Sequence, residues 1–296
     1  MVTDTTLVAL SEELIAAVDC EAATIALRRR CPDLYQQIKQ TAADSTALKL
    51  WGQSFNQDEI AKQRIVHPHV LRVIAALTGV PMMGQEVHAG LQHTYGYLFS
   101  LIETTYGCKR DRWMNAMLDR AFGFDTATLQ PVSKNGTLFF NATYFLGRIV
   151  FRGHRREIAM LRRLRSLVDP ALTRFNYRKL KVARLVETVC VPKDARSQVS
   201  LITDIVQFTA GRGIDNPPTT ESALLIYSVA DSRQAIRKLI TVFPVSVTVA
   251  ETLLDPDELG QQRDIRLRYN ASVDHLPRSI MTGSRELSGT WTRKDA

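Results

Sequence analysis

The sequence predicts an α+β protein with a helical N-terminal part, central aromatic strands and a mixed α/β C-terminal part. Three observations predict it. Residues 1 to about 80 repeat apolar side chains at helical spacing, with no β-alternation. From about 90 to 151 the composition shifts to aromatic and β-branched residues broken by glycines. After 181, short apolar runs separated by capping and turn residues suggest alternating helices and strands. A boundary is expected in 170–181. It separates a helical plus short-sheet domain, 1–170, from an α/β domain, 181–296.

Taken in order, L-V-A-L-S-E-E-L-I-A-A-V-D is an amphipathic helix, and E-A-A-T-I-A-L-R-R-R is a second one that stops before Pro32. D-L-Y-Q-Q-I-K-Q-T-A-A restarts just after that proline. H-P-H-V-L-R-V-I-A-A-L-T-G has Pro68 at the first helical position and Gly79 just past the end, with His67 placed to cap it. T-Y-G-Y-L-F-S-L-I-E-T-T-Y-G, 94–107, is expected as a strand covered on both faces and closed by a turn at Tyr106-Gly107. Asp111 should cap the helix that follows it. The run 137–151 suits a second strand, or the start of the next helix. Residues 154–168 form an amphipathic helix on paper, with Leu161, Leu164 and Val168 on one side and arginines on the other, ended by Pro170. V-A-R-L-V-E-T-V-C-V is a strand, R-S-Q-V-S-L-I-T-D-I-V-Q-F-T-A-G a helix, and A-L-L-I-Y-S-V-A a strand. S-R-Q-A-I-R-K-L-I is then expected as a helix and V-S-V-T-V-A as a strand.

Composition excludes several classes. With 45% hydrophobic and 23% charged residues over 296 positions, the chain can bury a sizeable core and is not a disordered polymer. The four cysteines, Cys20, Cys31, Cys108 and Cys190, are widely spaced and form no C-x-x-C pair. They therefore suit reduced thiols rather than a disulfide framework or zinc ribbon. The N-terminus lacks the basic and apolar regions of a signal peptide, and the longest apolar run is too short for a membrane span. The expectation is a cytoplasmic protein without membrane contact.

The formal net charge is +8, but residues 152–184 hold eleven Arg or Lys against Glu157 and Asp169, a local balance of +9. The remainder of the chain therefore sums to −1. Such a concentration steers anionic partners, although a charge run is more commonly a solvated helix face.

Two further constellations carry chemistry. His67, His69, His88 and His93 lie near Glu86 and Glu103, but their spacings match no metal-ligand pattern, so no metal is expected. On an extended strand, His93, Tyr95, Tyr97 and Glu103 would share one face as acid, base and orienting groups. The plainer alternative is a core strand whose tyrosines reach buried partners. His88, Lys109, Arg110 and Arg112, together with Arg155, Arg156, Arg162 and Arg163, would hold the anionic part of a ligand. Cys108 beside two cations suggests a lowered thiol pKa, a weak nucleophile signal in the absence of a placed histidine. Neither a phosphate loop, a dinucleotide fingerprint nor a nucleophile elbow is present, so no nucleotide or other cofactor is expected.

These features lead to a biosynthetic or tailoring protein that binds, and modifies, an anionic small molecule or short peptide without a nucleotide cofactor. The alternative is a non-catalytic protein that uses the arginine-rich helix to hold an acidic peptide or, less favoured, nucleic acid.

Overall fold

The computed structural model describes residues 3–42, 52–58, 61–82, 87–89, 91–104, 107–114, 118–119, 129–132, 179–191, 194–209, 222–231, 237–253, 271–272 and 284–289. The chain divides into two compact units. Unit 1 comprises Met1–Ala116, Ala127–Asn141 and Asn270–Val273, and unit 2 the remainder. The architecture is α+β, with a helical N-terminal region and an antiparallel sheet later in the chain.

Unit 1 begins with three helices, α1 (Asp4–Ala16), α2 (Cys20–Arg30) and α3 (Pro32–Ala42). Thr3 caps α1 by accepting from the Thr6 N–H, and Asp19 caps α2 through the Ala22 N–H at 2.8 Å. Leu7, Leu10 and Leu14 bury one stripe of α1, while Leu34 and Ile38 do so for α3. Arg29 and Arg30 in the last turn of α2 both bridge to Glu13 on α1. The hydrogen bond from Arg30 holds the Glu13 carboxyl below the usual range.

Helix α4 (Pro68–Thr78) follows the sequence rules closely. The His67 ring nitrogen Nδ1 accepts from the His69 N–H at 3.2 Å, and Gly79 ends the helix at a left-handed φ of 68°. Between α3 and α4, strand β1 (Gln53–Phe55) pairs antiparallel with β2 (Val87–Ala89) and with β9 (Ala271–Ser272). After β1 the buried Asn56 side chain donates to the Val66 carbonyl at 2.7 Å and accepts from the Val66 N–H at 2.8 Å. This two-way clamp closes the loop 56–66 and fixes the position of Asp58.

The segment expected as an aromatic strand is not extended at its start. It forms helix α5 (Leu91–Gly96), then one 3₁₀ turn (Tyr97–Phe99). Only Glu103–Thr104, as β3, pairs with β4 (Gly107–Cys108). Gln92 through Ser100 are all buried, so no apolar/polar period distinguishes strand from helix there. The short helix α6 (Asp111–Met114) closes its first turn on the Arg110 carbonyl, and the Asp111 carboxylate turns back to the Cys108 N–H at 2.9 Å. Asp111 is thus not the cap expected for it.

Unit 2 is built on a five-stranded sheet in the order β10-β5-β6-β7-β8, with every pairing antiparallel. The strands are β5 (Lys179–Val191), β6 (Asp194–Thr209), β7 (Ser222–Asp231), β8 (Arg237–Ser246) and β10 (Ser284–Gly289). The mixed α/β expectation is corrected here, because residues 196–209 are strand rather than helix. They are rich in Val, Ile and Thr, and apolar residues stand on both faces (Leu201 and Ile205 on one, Ile202 and Val206 on the other), so no apolar/polar alternation identifies the strand. Arg237–Ile240, expected to end a helix, begin β8 instead. β8 is the outer strand, which tolerates Pro244 and its missing N–H. The strand expected at 245–250 stops at Ser246. There the hydroxyl accepts from the Val249 N–H at 3.2 Å and opens helix α7 (Val247–Leu253). The expected strand 137–151 and the arginine helix 154–168 lie outside the described residues.

Candidate functional site

The candidate site in unit 1 starts from a close backbone approach. A Cβ on Gly96 would stand 3.1 Å from both methyl groups of Val66, tighter than ordinary van der Waals contact, so glycine eases this near approach of α5 to the clamped loop. The approach holds the helix that carries His93 against the loop that carries Asp58. One turn beyond His93, Tyr97 packs its ring on the imidazole, with centroids 4.4 Å apart and planes tilted by 37°. The Lys109 ammonium, from the turn after β4, lies 5.9 Å from the Tyr97 ring centroid, within cation–π range. It also lies 3.4 Å from Oδ2 of Asp58.

Four ionisable side chains from three segments therefore converge: Asp58, His93, Tyr97 and Lys109. His93 and Tyr97 are buried, and Lys109 is the most exposed of the four, its side chain 19% accessible. The Thr94 hydroxyl, next in sequence to His93, is buried without a hydrogen-bond partner among the described residues. A buried hydroxyl in that state has bonding capacity still to satisfy.

The other sequence-derived candidates lie elsewhere. Tyr95 is fully buried, and its phenol meets Thr41 of α3 at 2.9 Å. The Thr41 hydrogen goes to the Gln37 carbonyl at 2.6 Å, so the Tyr95 O–H is the donor in that pair. Burial pushes the Tyr95 phenol far above its usual range despite this bond. Glu103 is exposed on β3, opposite Cys108. The strand parity that grouped His93, Tyr95, Tyr97 and Glu103 does not exist in a helical segment. His88 stands on β2 in register with Ser54, and Arg112 lies within α6. Arg155, Arg156, Arg162 and Arg163 lie outside the described residues.

Arg110 meets a different set of partners from Lys109. Its guanidinium is buried and binds the Asp4 carboxylate on α1 through Nε, and it donates to the Ser100 carbonyl at 2.6 Å. Burial opposes the Arg110 charge, but the hydrogen bond and charge of Asp4 outweigh it and raise the pKa. Beside it, burial pushes the Cys108 thiol up, and the opposing pull of Arg110 does not reverse this. The expected activation of Cys108 is therefore corrected.

Asp58 was invisible to motif reading, because N-Q-D after a short strand reads as an ordinary turn. A second charged group, in unit 2, gives no sequence signal, because Arg184 reads as part of the basic run 152–184. Asp204 on β6 is fully buried and receives Arg184 Nε at 2.6 Å and Arg237 Nη2 at 2.7 Å. Among the described residues, no group of three or more His, Cys, Asp or Glu could hold a metal ion. None of the described helices is long and apolar enough to cross a membrane. Compared with known proteins, the chain matches no family model, no curated protein and no solved structure.

Proposed function

We propose that this is a cytoplasmic biosynthetic or tailoring protein that binds a small anionic molecule or short peptide at the Asp58–His93–Tyr97–Lys109 cluster. In this reading it acts on the ligand by proton transfer, without a nucleotide cofactor. The observation that carries the reading is the convergence of an imidazole, a phenol and an ammonium–carboxylate pair from three separate segments. An imidazole is the side chain best suited to exchanging protons near neutral pH, and a phenol can act as a partner donor. Lys109 supplies the anion-binding charge. An ammonium carries three donors, and Asp58 Oδ2 lies 3.4 Å from it.

Calorimetric titration with an acidic tripeptide and with inorganic phosphate tests the binding half. Wild type should bind at least one of them, and Lys109→Gln should weaken that binding about tenfold to a hundredfold, the loss expected for one charged hydrogen bond. Equal affinity in the two proteins would overturn the reading. A second reading, a non-catalytic holder of an acidic peptide or nucleic acid, is favoured by the +9 balance of residues 152–184. It predicts affinity for duplex DNA that falls steeply with salt and is indifferent to Lys109→Gln.

A further inference from the structure

We propose that the sheet of unit 2 carries a carboxylate-binding site centred on Arg184, suited to a small organic acid with an apolar body. The site is built across four strands. Asp204 on β6 gives one oxygen to each of two guanidinium groups, Oδ1 to Arg184 Nε at 2.6 Å and Oδ2 to Arg237 Nη2 at 2.7 Å. Arg237 is held again by its Nε, which donates to the Ser228 hydroxyl at 2.6 Å. The register shift between Tyr227 and Ser228 lies at this point, a place where a bulge re-aims a side chain.

Two guanidinium groups thus share the Asp204 carboxylate. Burial lowers the Arg237 pKa, and the like charge of Arg184 lowers it further against the pull of Asp204. A bound monoanion would relieve that repulsion.

The two arginines are not equivalent. The Arg237 side chain is 12% exposed and Arg184 is 39% exposed. Asp204 engages Arg184 only through Nε, and no described residue accepts from its two terminal Nη groups. A guanidinium anchored by Nε has its plane fixed. Its Nη pair then presents two near-parallel N–H donors, the geometry that a planar carboxylate accepts in bidentate fashion.

The neighbouring surface says what the rest of the ligand should be. Arg184 and Asp204 are directly paired, and the next pair on the same face is Val186 with Ile202. Both are half-buried, as are Thr188 and Ser200 in the pair beyond. An apolar platform one residue pair from the fork suits an aromatic or branched acid better than a phosphate.

The test is a titration of the full-length protein with benzoate at constant ionic strength, following the arginine Nε and Nη signals by NMR, with inorganic phosphate in parallel. Benzoate should shift the Arg184 signals saturably and bind more tightly than phosphate. Arg184→Lys keeps the charge but loses the fork, and should weaken benzoate binding about tenfold or more. Ile202→Ser should weaken benzoate binding while leaving acetate binding unchanged. The proposal is overturned if wild type shows no saturable shift up to the solubility of benzoate. It is equally overturned if phosphate binds more tightly than benzoate, or if a folded Arg184→Lys protein binds benzoate as well as wild type.

Discussion

His67 and Gly96 each tie one atom to the architecture of unit 1. The His67 ring nitrogen can accept from the first turn of α4 only while it is unprotonated. Burial, followed by the charges of His69, Arg72 and Arg64, lowers the His67 pKa from its ordinary value near 6.5. A histidine lowered on folding binds fewer protons than in the unfolded chain, so it contributes stability above about pH 6.5 that is lost as pH falls. Urea unfolding of wild type from pH 8 to pH 5 should show this decline. His67→Asn, which caps without titrating, should flatten it, and an unchanged slope would remove His67 as its source. Gly96→Ala places a methyl 3.1 Å from both Val66 methyls, so the variant should be about 1–3 kcal/mol less stable. Pairing it with Val66→Ala should return part of the loss, whereas simple addition of the two penalties would mean that these atoms do not meet.

Among the elements, the legible ones were those with terminal signals. Asp19, His67 with Pro68, and Gly79 mark helix ends by local hydrogen bonding and backbone preference, and α2 and α4 lie where those residues indicate. The illegible ones were buried all round. Gln92–Ser100 and Val199–Gln207 carry nearly continuous burial, so tertiary packing decides between helix and strand, and it decides oppositely in the two segments. The candidate site was readable in the same uneven way. His93, Tyr97 and Lys109 cluster in sequence, but His93 and Tyr97 meet by the i, i+4 step across α5 and the 3₁₀ turn rather than by strand parity, and Lys109 joins them from the turn after β4. Asp58 joins them through the Asn56 clamp, a long-range contact with no sequence signature. Asn56→Ala would leave both Val66 backbone groups without their amide partners and should cost about 2–5 kcal/mol in chemical unfolding. In the sheet, Asp204→Ala would remove the buried carboxylate that two guanidinium groups share and should cost about 3–5 kcal/mol. A loss well below 1 kcal/mol would mean that the arginines find other partners.

Across the whole molecule the positive excess is confined to residues 152–184, while among the described residues of unit 1 Arg110 pairs with Asp4, Lys109 with Asp58, and Arg29 and Arg30 with Glu13. The two functional readings therefore separate by place. On the sequence expectation of a solvated arginine face, reversing Arg155, Arg156, Arg162 and Arg163 to Glu should leave thermal unfolding nearly unchanged, since exposed charges individually contribute little. If the second reading holds, the same change should abolish DNA or acidic-peptide binding; the lead reading leaves Lys109-dependent binding in place. The most direct measurement of that reading is an NMR titration with inorganic phosphate that follows the His93 imidazole and the Lys109 ammonium together. The account predicts that both signals shift along one saturation curve and that both responses disappear in Lys109→Gln. A His93 signal that stays still while phosphate saturates, or that moves equally in the variant, would contradict a single site formed by these residues.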